Sequence, residues 1–124
     1  DGEEVKFPRS MVPIAARAAG IIALDTPYVR FRDIPGLRQE TESALTLGYK
    51  GKFSIHPAQL DTINSVFTPK LDDVEYARRV IEAWKRAESE GKGSLSLDGE
   101  MVDAPIVKRA YGLLEWFDST VGKS

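Results

Sequence analysis

Apolar and polar residues follow one another along this chain in short blocks, first at helical spacing and then in brief unbroken runs. Residues 10–19, Ser-Met-Val-Pro-Ile-Ala-Ala-Arg-Ala-Ala, predict a helix with Ser10 as N-cap, Pro13 in the first turn and Gly20 as the stop. Ile21 to Leu24 is an apolar run of the kind a strand buried on both faces shows. A loop from Asp25 to Gly36 follows. Residues 37–47 predict a second helix, with Leu37, Ala44, Leu45 and Leu47 giving a partial apolar face and Gly48 closing it. Lys52 to Ile55 predicts a second strand. His56-Pro57 then turns directly into a helix over 57–67, whose inward stripe is Leu60, Ile63, Val66 and Phe67.

Helices and strands alternating through short connections are the mark of parallel βαβ units, so the expected fold class is α/β. Two strands leave open edges that need neighbours. Asp1-Gly2-Glu3-Glu4-Val5 also reads like the middle of a longer chain. We therefore expect a piece of a larger sheet, with a (β/α)8 barrel and a doubly wound sheet both open from pattern alone.

After Thr68-Pro69-Lys70 the pattern changes. A longer helix is expected over 72–90, with Asp72 and Asp73 at its positive end and Val74, Ala77, Ile81, Trp84 and Ala87 on one face. Gly91 and Gly93 stop it. Ser94 to Leu97 reads as a short strand or extended arm, and Asp98-Gly99 as a turn. A last helix over 104–120 places Val107, Ala110, Leu114 and Phe117 together. The chain thus divides into βα units over residues 1–69 and a helical extension over 70–124.

Composition narrows the picture. With 124 residues, 42% hydrophobic and 29% charged, the chain has the make-up of one small folded domain. Its net charge of −2, with acids and bases mixed, offers no basic stripe for nucleic acid. The lack of cysteine excludes a disulfide scaffold, thiolate-bound zinc and a cysteine nucleophile, and fits a reducing cytoplasm. A single histidine makes a transition-metal site built from protein alone a poor fit. No apolar run approaches the roughly 20 residues of a membrane span, and no signal-peptide pattern is visible. Glycine-rich nucleotide loops and the Gly-x-Ser-x-Gly elbow are absent.

In parallel α/β folds, chemistry gathers at the C-terminal ends of strands. Asp25 and His56 hold those positions. Asp25 could bind a hydroxyl or orient a ligand, or open an Asx turn at Thr26-Pro27. His56 could act as an acid or base or bind a ligand, or be a structural imidazole bonded to backbone at the strand–helix turn. Asp103 precedes Ala104-Pro105 and reads, on sequence alone, as the N-cap of the last helix. Arg30 and Arg32 alternate in a loop, which suits either an anionic ligand or solvent.

Four stretches in order carry a resemblance. Gly51-Lys52-Phe53-Ser54-Ile55-His56-Pro57-Ala58-Gln59, followed by Ile63-Asn64 and Phe67-Thr68-Pro69, is similar to the citrate lyase β-subunit family, which includes malyl-CoA lyases and related acyl-CoA lyases of the HpcH/HpaI aldolase superfamily. Arg9-Ser10 with Ala15-Ala16-Arg17-Ala18-Ala19-Gly20 resembles the helix before the seventh barrel strand, and Leu24-Asp25 with Asp33-Ile34-Pro35-Gly36-Leu37 resembles that strand and its loop. Leu97-Asp98-Gly99-Glu100-Met101-Val102-Asp103-Ala104-Pro105 resembles the family's C-terminal lid. One departure is Lys70, where the family often has a helix-capping serine.

The resemblance implies the C-terminal portion of a (β/α)8 TIM barrel, its last two strands and helices, with a helical lid. It implies a lyase that makes or breaks a carbon–carbon bond between a 2-oxo acid and an acyl thioester carried on CoA or an acyl-carrier protein. It further implies Mg2+ held by carboxylates on earlier strands, so no metal ligand is expected here. Asp103 becomes the expected catalytic residue, on a lid closing over a neighbouring subunit of a homotrimer or hexamer. Asp25, Ile55, His56 and Pro57 become the expected substrate- or CoA-binding residues. Two other readings are a carrier-free 2-oxo-acid aldolase and a non-catalytic segment serving oligomerisation.

Overall fold

The computed structural model describes residues 3–121 and divides into two units, Asp1–Phe67 and Thr68–Ser124. In the first unit, a 3₁₀ turn (Glu3–Val5) leads into α1 (Lys6–Ala18), followed by β1 (Leu24–Asp25), α2 (Ile34–Leu47) and β2 (Gly51–Lys52). A second 3₁₀ turn (Pro57–Gln59) opens α3 (Leu60–Phe67). β1 and β2 pair in parallel, Leu24 with Gly51 and Asp25 with Lys52, with α2 as the crossover. The predicted βαβ unit is therefore present.

The first helix corrects the sequence expectation. It starts at Lys6, which places Pro13 inside it, and Ser10 Oγ donates to the Phe7 carbonyl instead of capping. An interior proline costs a helix the hydrogen bond to the carbonyl four residues back. Here that carbonyl belongs to Arg9, and the Tyr49 hydroxyl donates to it at 2.8 Å. A distant side chain thus replaces the missing N–H. Both α1 and α2 stop where predicted. At Gly20 and Gly48 the backbone turns to φ of 69° and 104°, and Ile21 N–H and Tyr49 N–H reach back to the Ala16 and Ala44 carbonyls. Only glycine takes that left-handed turn without steric cost.

α2 begins three residues before the predicted start, because Asp33 caps it by accepting from Gly36 N–H at 2.9 Å. A side chain at Gly36 would collide with the Tyr28 hydroxyl and the Asp33 carboxylate.

The strands are shorter than predicted and shifted. Pairing runs from the Ala23 carbonyl, which accepts from Lys50 N–H, to Phe53 N–H, which donates to the Asp25 carbonyl. One face, with Ala23, Asp25 and Lys52, is buried, whereas Ile22, Leu24, Phe53 and Ile55 are exposed. The expectation of burial on both faces fails within this unit because helices cover a single side. The core is Ala16, Ala23, Tyr28, Leu37, Ala44, Tyr49, Ile63 and Phe67. Leu60, predicted to face inward, is exposed, and Gln59 and Thr62 are buried instead. Ile63 and Phe67 are buried as predicted, so the stripe keeps its phase, and Gln59 rather than Leu60 extends it one turn earlier.

The second unit comprises α4 (Leu71–Ser89), β3 (Leu95–Leu97), β4 (Glu100–Val102) and α5 (Ala104–Val121). α4 has no side-chain cap at Lys70, but Asp72 and Asp73 lie in its first turn, where negative charge meets the helix dipole. β4 is an addition to the predicted elements: β3 and β4 form an antiparallel hairpin with Leu95 opposite Val102. Its turn is Asp98-Gly99, both residues at positive φ, the conformation a two-residue hairpin requires. Ala77, Val80, Ile81, Val102, Val107 and Ala110 form the core, with Trp84 and Leu114 packed against it. No helix among the described residues is long and apolar enough to cross a membrane.

Candidate functional site

The parallel register places Asp25 directly across from Lys52, and both side chains turn toward the helices. Lys52 Nζ lies 2.7 Å from Asp25 Oδ2, with 0% and 1% of the two side chains exposed. Arg9, from α1, closes the other side of the carboxylate through Nε to Oδ1 at 3.2 Å and Nη2 to Oδ2 at 2.7 Å. Glu40, from α2, stands 3.7 Å from Lys52 Nζ and 3.8 Å from Arg9 Nη2. Two cations and two carboxylates therefore neutralise each other beneath the sheet.

Burial alone would push the Asp25 carboxyl up, but hydrogen bonds from Arg9 and Lys52, aided by their charges, outweigh it and hold the group below the usual carboxylate range. The same bond to Asp25 raises Arg9. Asp25 thus makes neither an Asx turn nor an open ligand contact: its carboxylate is committed to its partners. Nor does this cluster suit Mg2+, because the cations that hold Asp25 would repel it. Among the described residues no group of three or more histidine, cysteine, aspartate or glutamate side chains could hold a metal. No step through a metal is derived from this chain.

The turn after β2 is held differently. His56 Nδ1 accepts from Ala58 N–H at 3.1 Å, capping the 3₁₀ turn. Its ring stacks on Phe31 from the preceding loop, with centroids 4.7 Å apart. With Nδ1 committed as an acceptor, the neutral ring carries its proton on Nε2. Ile55 and Pro57 beside it are exposed. Beneath them sits Gln59, fully buried. Its Oε1 accepts from Ile55 N–H at 3.0 Å and Ser54 Oγ at 3.3 Å, and its Nε2 donates to the Tyr28 carbonyl at 2.8 Å. One amide therefore ties the loop after β1 to the loop after β2.

The sequence reading missed Arg9, Lys52, Glu40 and Gln59. Opposite charges at corresponding strand positions were a usable signal for Asp25 and Lys52, once the register was known. Nothing in the local pattern pointed to Arg9. Gln59 escaped because the predicted stripe began at Leu60, whereas the buried face starts at Gln59, four residues before Ile63.

In the second unit, Asp103 does stand at the N-cap. Its Oδ1 accepts from Ile106 N–H at 3.2 Å, and its carbonyl accepts from Val107 N–H. Oδ2 makes no further hydrogen bond or ion pair among the described residues. The carboxylate is thus oriented through one oxygen and half-buried, with the other oxygen available. The hairpin before it is tied to α4 by Arg79 to Asp98 at 2.8 Å and by the Tyr76 hydroxyl to Glu100 at 3.2 Å.

Comparison with known proteins places this geometry. Residues 1–57 match the model of the HpcH/HpaI aldolase/citrate lyase family. The chain is 44% identical to citrate lyase subunit beta of Haemophilus influenzae, over 93% of this chain and 40% of that protein. It is 33% identical to the mitochondrial citramalyl-CoA lyase of Mus musculus, over 92% of this chain and 34% of that protein. The chain therefore spans two fifths or less of these relatives. Among solved structures, CitE of Mycobacterium tuberculosis in complex with magnesium, acetoacetate and coenzyme A superposes with a TM-score of 0.75 at 30% identity, covering 93% of this chain and 42% of that one. A citrate lyase of Burkholderia xenovorans shares the fold, with a TM-score of 0.79 at 22% identity, over 97% of this chain and 37% of that one. Residues 1–57 thus match the HpcH/HpaI aldolase/citrate lyase family, and the chain is similar over most of its length to citrate lyase β subunits and citramalyl-CoA lyases.

Proposed function

We propose that this chain belongs to a Mg2+-dependent lyase that makes or breaks the carbon–carbon bond between a 2-oxo acid and an acyl thioester, and that it supplies the thioester-facing edge and the proton-transfer carboxylate of that site. Residues 1–69 are then the last two βα units of a (β/α)8 barrel, and 70–124 a lid acting on a neighbouring subunit of a homotrimer or hexamer. The observation that carries the reading is the state of Asp103. Capping uses Oδ1, so the helix aims the carboxylate and leaves Oδ2 to take or return a proton at the carbon beside the thioester. The kinship to lyases, extending through both units, supplies the reaction class.

Ile55, His56 and Pro57 form the thioester-facing edge. Asp25 serves that edge through the ion cluster, as a positioning residue that holds β1 and β2 in register. Mg2+, which polarises the 2-oxo group in such a reaction, takes its ligands from outside the described residues.

The test uses the complete protein that contains this chain, with Mg2+ and a panel of citryl, malyl, methylmalyl and citramalyl thioesters on CoA and on acyl-carrier protein. Release of the 2-oxo acid from one of them, lost in Asp103→Asn, is the expected result. Cleavage of free 4-hydroxy-2-oxo acids alone would establish the carrier-free aldolase instead. No cleavage of any substrate, with oligomers that fall apart on removal of residues 70–124, would establish the non-catalytic segment.

A further inference from the structure

The hairpin that leads into Asp103 is tied to α4 by two side chains with no part in the reaction above. β3 and β4 are three residues each, and a lone two-stranded hairpin is marginal in water. The register sets Leu95 opposite Val102 and Leu97 opposite Glu100. These four residues share one face, since alternate side chains along a strand point the same way. Val102 is buried there, and Leu95 and Leu97 pack against the same cluster as Ala77, Val80 and Ile81 of α4. Ser96 and Met101, on the other face, are exposed. Apolar packing therefore anchors the base of the hairpin, beside Asp103.

The exposed tip is held by polar contacts instead. Arg79 Nη1 donates to Asp98 Oδ2 at 2.8 Å, and the Tyr76 hydroxyl donates to Glu100 Oε2 at 3.2 Å. The two arms brace each other. Tyr76 and Arg79 stand three residues apart on α4, where helix side chains are neighbours, and the guanidinium lies 5.6 Å from the centre of the Tyr76 ring. Both members of the Arg79–Asp98 pair are more than half exposed, and such pairs contribute little to folding. The consequence of this tie is directional. Asp103 follows Val102 directly, so a swing of the hairpin about its buried base works on the Asp103 backbone and on the bond from Ile106 N–H to Oδ1.

We propose that Tyr76 and Arg79 are positioning residues for Asp103: by fixing Glu100 and Asp98 against α4 they hold the hairpin still and aim the free Oδ2 of Asp103. The proposal rests on the reading of Asp103 as the proton-transfer carboxylate. Displacing a reacting group by about 1 Å can cost roughly a hundred-fold in rate. Substrate contacts made by other residues are untouched, so the loss falls on kcat and not on KM.

The test uses the complete protein and the thioester it cleaves. Arg79→Gln should lower kcat about ten-fold, with KM and the urea midpoint nearly unchanged. Arg79→Lys, which keeps the charge, should recover most of that loss. Asp98→Asn still tolerates the left-handed turn and should lower kcat likewise. The double variant should be no worse than either single one, since both remove the same bond. Arg86→Gln, whose ion pair with Glu82 stays within α4, should change nothing. Hydrogen exchange at the Ile106 amide should quicken in Arg79→Gln and in Tyr76→Phe but not in Arg86→Gln. Unchanged kcat in Arg79→Gln, additive losses in the double variant, or unchanged exchange at Ile106 would overturn the proposal. A loss confined to KM would overturn it too, and would give Arg79 a binding role. If no thioester is cleaved, or Asp103→Asn keeps full turnover, the reading of Asp103 fails by itself; quickened exchange at Ile106 still supports the hold from α4, and unchanged exchange overturns it.

Discussion

The Tyr49 hydroxyl donates to the Arg9 carbonyl, the acceptor that Pro13 deprives of its helical partner. Tyr49 follows the glycine that ends α2, so the same chain reversal that stops one helix repairs another. This contact also steadies the α1 turn from which Arg9 reaches Asp25.

Tyr49→Phe should therefore destabilise the protein by roughly 1–3 kcal/mol, the cost of a part-buried carbonyl left unsatisfied. Pro13→Ala restores an N–H at the helix interior, so the Tyr49→Phe cost should shrink in that background. Urea denaturation of the four proteins of the double-mutant cycle measures the coupling. Strict additivity would refute the repair.

Asp25→Asn removes the charge that both Arg9 and Lys52 surround. Breaking a buried pair from one side costs roughly 3–5 kcal/mol, and most of that is the cations left behind. Because the folded carboxyl is held below its unfolded value of about 3.9, its contribution is present above that pH and is lost as pH falls through the folded value. The stability gap between wild type and Asp25→Asn should accordingly be wide at neutral pH and close in acid below about pH 4. Denaturant midpoints across that range check it; a gap independent of pH would contradict it.

Gln59→Glu keeps the acceptor for Ile55 N–H but sets a carboxylate against the Tyr28 carbonyl, while Gln59→Met removes both bonds. Each should cost roughly 1–3 kcal/mol, and both should speed hydrogen exchange at the Ile55 amide. For the lyase proposed above, the expected kinetic mark is a raised KM for the thioester with a smaller change in kcat, because the loops and not the reacting groups are displaced. Unaltered exchange at Ile55 would remove Gln59 from the positioning role.

Asp103→Asn and Asp103→Ala separate capping from chemistry. Asparagine caps as well as aspartate, so stability should hold in the first and drop by at most about 1 kcal/mol in the second. Turnover should fall strongly in both. Full activity in Asp103→Asn would leave Asp103 as a cap only.

Local pattern was enough for much of the architecture. Gly20, Gly48 and the Asp98-Gly99 turn placed chain reversals, since left-handed backbone is a property of the residue itself. The alternation of helices and short apolar runs placed the parallel βαβ unit. The motifs around His56 and Asp103 carried the kinship to lyases. Those signals are local, and each was legible without neighbours.

Tertiary structure alone decided which residues meet. Arg9, Asp25, Glu40 and Lys52 come from four separate elements, and no spacing in the chain announces that their charges converge. Pro13 could enter a helix interior only because Tyr49 arrived from elsewhere to bond the Arg9 carbonyl. Gln59 became a buried clamp because the 3₁₀ turn sets it in line with the buried Ile63 and within reach of the Tyr28 carbonyl. In each case a buried polar group had to find a partner, and burial is a property of the folded chain, not of the residue.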